Sequence, residues 1–199
     1  MVLVAAVAVG AAGIGSGPPR TAGYWMTWNR CAAGNQAALA DRNGGWREGY
    51  WLLEDALRED LGAGVVWDDG LEDGLVVRIE GCEQAVEILG ERRVVLNGVV
   101  GDGPRVADDL GRTVAMQLLT AQLNAAAGAC TTPEVKEVLA LAERLLDRVD
   151  FDGTSAKAYI PAGSPHHAHA KALAGYLEAY NRCECDFGRL PAKPRAPAG

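Results

Sequence analysis

The residues in this chain whose types and spacing suit chemistry are five cysteines, three histidines and a segment that holds all five tryptophans. The cysteines are Cys31, Cys82, Cys130, Cys183 and Cys185. No two form a Cys-x-x-Cys pair, so a local zinc knuckle has no support. Spaced cysteines in an exported chain read better as disulfides. An odd number leaves one thiol over or pairs it between chains. The histidines fall together as His166, His167 and His169. His166 and His169 are three apart and share one side of a first helical turn. Two or three imidazoles can hold zinc or copper, which makes these residues metal candidates. No nearby acid completes a ligand set, and a His-rich exposed helix start is the simpler reading. Tyr24, Trp25 and Trp28 are the candidates for a sugar-stacking platform, weighed against plain core packing.

Reaction motifs are missing. The sequence contains no Gly-x-Ser-x-Gly elbow, no His-Glu-x-x-His and no phosphate loop. Gly101-Asp102-Gly103-Pro104-Arg105-Val106 follows an apolar run, but Val106 stands where a dinucleotide loop needs its third glycine. A turn leading into a helix explains it. Asp150-Phe151-Asp152-Gly153 looks like the middle of a calcium loop. In that register Arg148 and Tyr159 take the first and twelfth positions, where oxygen ligands are required. No spacing of acids selects a glycosidase pair. These readings imply no catalytic residue and no cofactor.

The elements that must position these residues are mostly helical. The chain has 199 residues, 49% hydrophobic and 23% charged, a balance that suits one folded domain. Its net charge of -7, with no concentrated basic patch, argues against nucleic acid as a partner. Arg105 to Ala127 predicts a long central helix after Pro104, with Val106, Leu110, Val114 and Leu118 at steps of four. Thr132-Pro133-Glu134 predicts an N-cap with proline at the first helical position. The stripe Val135, Val138, Leu139, Ala142, Leu145, Leu146 and Val149 follows it. Ser164-Pro165 predicts a third start, with Leu173, Tyr176, Leu177 and Tyr180 on one face. Cys82 to Leu89 predicts a short helix, and Glu48 to Leu61 another. Leu75–Ile79 and Val94–Val100 suit short strands. The expected fold is therefore mainly α: a disulfide-braced helical bundle with an irregular Trp-rich N-terminal segment, with room for one short β-hairpin.

Met1 to Ile14 is an apolar run without charge. As a helix it would span about 21 Å, short of a ~30 Å hydrocarbon core, so it predicts a signal peptide and no stable membrane span. The expected division is 1–19 as signal remnant and linker, 20–187 as one helical domain, and 188–199 as a disordered tail rich in proline and alanine. In an up-down arrangement the end of the central helix lies near the end of the last helix. The expected pairs are then Cys31–Cys82 and Cys130 with Cys183 or Cys185, Cys183 being preferred.

Arg20-Thr21-Ala22-Gly23-Tyr24-Trp25-Met26-Thr27-Trp28 resembles the Arg-Thr-x-Gly-Tyr/Phe-Trp-Lys-x-Trp motif of a group of exported prokaryotic surface or secreted proteins. Further matches are Cys82 to Leu89, Ala115-Met116-Gln117-Leu118-Leu119 through Leu123-Asn124 to Gly128-Ala129, and Leu177 with Tyr180-Asn181. Met26 departs from the lysine of that motif. The resemblance implies secretion or surface display and no established activity. The expectation is a non-enzymatic extracellular or cell-surface domain for structure or interaction, with a cell-wall or extracellular polymer as partner. The alternatives are a carbohydrate-binding module built on the N-terminal tryptophans, and a secreted hydrolase or metal-dependent enzyme built on His166, His167 and His169.

Overall fold

The computed structural model describes residues 18–31, 36–59, 65–67, 77–79, 81–94, 104–106, 108–182 and 186–195. Along them run α1 (Ala22–Thr27), α2 (Ala37–Arg42), a 3-10 turn (Gly45–Glu48), α3 (Leu53–Glu59), β1 (Val65–Trp67), β2 (Val77–Ile79), α4 (Cys82–Leu89), α5 (Leu110–Ala126), α6 (Pro133–Arg148) and α7 (His167–Tyr180). The protein is mainly helical. A second 3-10 turn, Phe187–Arg189, follows α7.

Helix α5 is the axis of the bundle. It packs against α1, α3, α4, α6 and α7. Val114, Leu118, Leu119 and Leu123 are fully buried, as a helix surrounded by partners requires. Each completely buried side chain of this size contributes about 1.5–3 kcal/mol of transfer free energy. Helix α6 starts as its sequence predicts: Thr132 accepts a hydrogen bond from the Val135 amide and Pro133 takes the first position. Val135, Val138, Ala142, Leu145 and Leu146 face inward. On α7, Leu173, Tyr176, Leu177 and Tyr180 are all buried.

Several boundaries differ from the sequence expectation, for identifiable reasons. Helix α5 begins at Leu110 instead of Arg105. Arg105 forms an antiparallel bridge with Arg92, and the Pro104 carbonyl accepts from the Arg93 amide. Asp109 then caps the helix by accepting from the Gly111 amide. The same Asp109 Oδ1 accepts from the amides of Tyr159 and Ile160. Arg112, 2% exposed, donates to the carbonyls of Arg92, Gly153 and Ser155. One acid and one arginine thus fasten the loop after α6 onto the start of α5. Gly111 sits at that joint, where a Cβ would meet Tyr159 Cβ at 2.8 Å.

Among its described residues the Trp-rich segment carries three short helices and a 3-10 turn. Gly49, at φ +83°, ends that turn, so the helix expected from Glu48 starts instead at Leu53. Val77–Ile79 pairs antiparallel with Val65–Trp67. The strand expected from Val94 lies largely outside the described residues. In the C-terminal segment Leu190 packs on the core, Pro194 is buried, and Lys193 bonds Glu137 at 2.7 Å. The leader lies outside the described residues, apart from 18–19.

Cys31 and Cys82 form a disulfide, with Cα atoms 6.1 Å apart, that joins the end of the α1 segment to the start of α4. Cys130 is also disulfide-bonded. The Tyr180 hydroxyl donates to the Cys130 carbonyl at 3.2 Å, so the end of α7 does lie beside the chain that leaves α5. Cys183 and Cys185 lie outside the described residues.

Candidate functional site

The N-terminal segment reaches the bundle through α1. Thr21 caps this helix, and one turn places Tyr24 and Trp28 on the same face. Their rings stack at 5.0 Å and 10°, and Trp28 stacks on Tyr50 at 6.0 Å and 19°. The Arg20 guanidinium lies 4.8 Å from the centre of the Tyr24 ring and donates to the Gly49 carbonyl. The Tyr24 hydroxyl donates to the Trp51 carbonyl at 3.0 Å. Burial pushes the Tyr24 phenol above its ordinary value, with Arg20 opposing. The order is therefore Arg20, Tyr24, Trp28, Tyr50, in which Tyr24 and Trp28 spend ring faces on neighbours within the chain. Trp25 points the other way and is fully buried. It is a core residue and cannot serve a stacking platform. Its ring meets that of Tyr24 edge-on at 5.2 Å.

Below α1 lies a buried chain of amides. Asn124 of α5 accepts through Oδ1 from the Arg20 amide at 2.8 Å and from Trp25 Nε1 at 3.2 Å. Its Nδ2 donates to the Arg20 carbonyl at 2.8 Å and to Asn181 Oδ1 at 3.0 Å. All four hydrogen-bonding positions of one side chain are used. Asn181, the C-cap of α7, donates in turn to Gln117 Oε1 at 2.9 Å and to the Gln117 carbonyl at 3.1 Å. Asn124 and Asn181 are 0% and 2% exposed. This chain ties α1, α5 and α7 together.

Beside it opens a cleft of about 380 Å³, lined by Thr21, Ala22, Gly23, Met116, Gln117, Glu178, Asn181 and Arg182. Glu178 and Arg182 pair with each other at 2.9 Å, so the rim carries both signs and little net charge. The lining supplies amide, hydroxyl and backbone groups. The lining residues include no cysteine or histidine. Such a lining suits hydrogen bonding to a neutral, polyhydroxylated or amide-bearing group.

The histidines begin α7, with His166 at the N-cap and His167 and His169 in the first turn. All three are half-buried. Burial lowers the His169 pKa from 6.5, and Arg148 and His166 lower it further. A neighbouring guanidinium works against a bound cation as well. Among the described residues no third ligand joins the histidines; the group that does assemble is Cys31, Glu54 and Cys82. The metal expectation at His166, His167 and His169 therefore finds no ligand set there.

The sequence reading did not single out Asn124, Asn181 and Gln117 as a joint. Arg20 and Trp25, Gln117 and Asn124, and Asn181 lie far apart along the chain, and no local spacing pairs them. No protein-family model matches the chain, and no curated protein or solved structure is found to match it.

Proposed function

We propose that this protein is a non-enzymatic domain of the cell surface or the extracellular space that binds a polymer, and that the cleft beside Gly23 and Gln117 is its contact site. The observation that carries this reading is the cleft itself, with its mixed, charge-balanced lining over a fixed amide floor. Preformed, fully hydrogen-bonded supports keep the ordering cost of binding low. The Cys31–Cys82 disulfide supports an oxidising compartment. Export further predicts a mature N-terminus between about Ala12 and Thr21, where the apolar run gives way to small residues. Likeness to exported surface proteins belongs to the same proposal.

The test uses purified chain against insoluble cell-wall polymer and a set of soluble glycans. Gly23→Trp is the informative variant, because a Cβ there meets nothing nearer than Thr21 Oγ1 at 3.8 Å. It fills the cleft and leaves the core alone. Retention of the parent and loss in Gly23→Trp supports the reading. Equal retention of both, or retention of neither, overturns the contact site. Release of soluble fragments from the polymer would show an enzyme instead.

A further inference from the structure

Glu54 is a half-buried acid whose Oε2 has no hydrogen-bond partner and no access to water. Its other oxygen accepts from the Arg30 amide. A carboxylate oxygen left without a partner is costly. One oxygen of Glu54 and the two sulfurs of Cys31 and Cys82 all lie within 4.8 Å of one another. The three residues come from the end of the α1 segment, the first turn of α3 and the first residue of α4. While the sulfurs are bonded to each other, neither offers a proton or a charge to the carboxylate.

We propose that this joint is a redox-gated site for a thiophilic divalent cation, zinc in the first instance, held by Cys31, Cys82 and Glu54 once the disulfide is reduced. The inference is independent of the polymer-binding cleft. The opening step is exchange with an external dithiol. Its thiolate attacks one sulfur, the other leaves and takes up a proton, and a second attack releases the reductant as its own disulfide. Two electrons and two protons pass to the pair, which becomes two thiols. Zinc then displaces both thiol protons and binds two thiolates and a carboxylate. Two sulfurs and one oxygen form a donor set that zinc accepts, with water completing a tetrahedron.

The geometry suits this exchange. Tetrahedral zinc with bonds of about 2.3 Å sets its sulfurs roughly 3.7 Å apart. Cysteines whose Cα atoms are 6.1 Å apart reach that by side-chain rotation. Cys82 opens α4, where the helix N-terminus favours a thiolate. The Glu54 carboxylate, beside both sulfurs, gains in the reduced state a cation to neutralise it. The joint between the N-terminal segment and α4 is thus closed in both redox states, by a covalent bond in one and by a metal in the other.

The test uses the full chain, reduced with a phosphine and freed of it, and titrated with Zn²⁺ against a chromophoric chelator. Co²⁺ in a parallel sample reports thiolate coordination through its charge-transfer absorption. The expected result is metal uptake only after reduction, lost in Cys31→Ser and Cys82→Ser. In Glu54→Gln the affinity should fall at least about tenfold. Circular dichroism of each reduced variant should retain the helical signal. Uptake that is unchanged in Glu54→Gln and lost in Cys130→Ser would assign the metal to other cysteines and overturn the proposal. Uptake by the oxidised chain, or none by a reduced chain that stays helical, overturns it too. So does a reduced chain that loses its helices and does not regain them with metal.

Discussion

Asn124→Leu is the sharpest test of how the N-terminal segment is held. The substitution keeps the number of heavy atoms and the branching at Cγ and deletes one acceptor and one NH2. Four groups lose their partner: the Arg20 amide, the Arg20 carbonyl, Trp25 Nε1 and Asn181 Oδ1. Arg20 is half-buried and its backbone can recover water. Trp25 and Asn181 are buried and cannot. Each orphaned buried group costs about 1–3 kcal/mol, so two cost about 2–6 kcal/mol. The gain from an added apolar side chain offsets part of this. A net loss of about 2–4 kcal/mol is expected, a large share of the ~5–15 kcal/mol that holds a typical domain. Urea unfolding under non-reducing conditions, followed by tryptophan fluorescence and by circular dichroism, gives the value. The control is Lys136→Ala on the exposed side of α6, expected within about 0.5 kcal/mol of the parent. Asn181→Leu completes a double-mutant cycle, with a coupling of at least about 0.5 kcal/mol if the amides act as one chain. A loss below about 0.5 kcal/mol for Asn124→Leu, or strict additivity with Asn181→Leu, would refute the claim that this joint holds the segment.

Leu118→Asp places an unpaired charge at the fully buried centre of α5 and should cost several kcal/mol, read as a fall in the denaturation midpoint. Replacing Cys31 and Cys82 together by serine frees a loop with a sequence separation of 51, for which chain entropy gives a loss of about 4 kcal/mol at most. Non-reducing peptide mapping should link Cys130 to Cys183 in preference to Cys185, and a Cys31–Cys130 peptide would contradict the structure. The depressed His169 pKa makes the folded state bind its proton less readily than the unfolded chain. Its stabilising share is therefore full above about pH 6.5 and lost as the pH falls through the window below it, and His169→Gln should flatten stability across that window.

Local chemistry in the sequence determined the helices whose signals are self-contained. Thr132 and Pro133 set the start of α6 because cap and proline act within one turn. The apolar stripes of α5, α6 and α7 marked their buried faces, since periodicity records burial directly. The start of α5 was not legible, because Asp109 caps the helix while also receiving amides from Tyr159 and Ile160, about fifty residues away. Nor was the Trp-rich segment, where Gly49 and a stack across Tyr24, Trp28 and Tyr50 replace a simple helical period. For the candidate sites the division is sharper. Sequence brought out the His cluster because its members are neighbours, yet no third ligand joins them among the described residues. Tertiary structure alone brought Glu54 beside Cys31 and Cys82, and Asn124 between Arg20, Trp25 and Asn181. Buried polar groups must find partners wherever the chain supplies them, and across 57 or 104 residues that pairing leaves no local pattern to read.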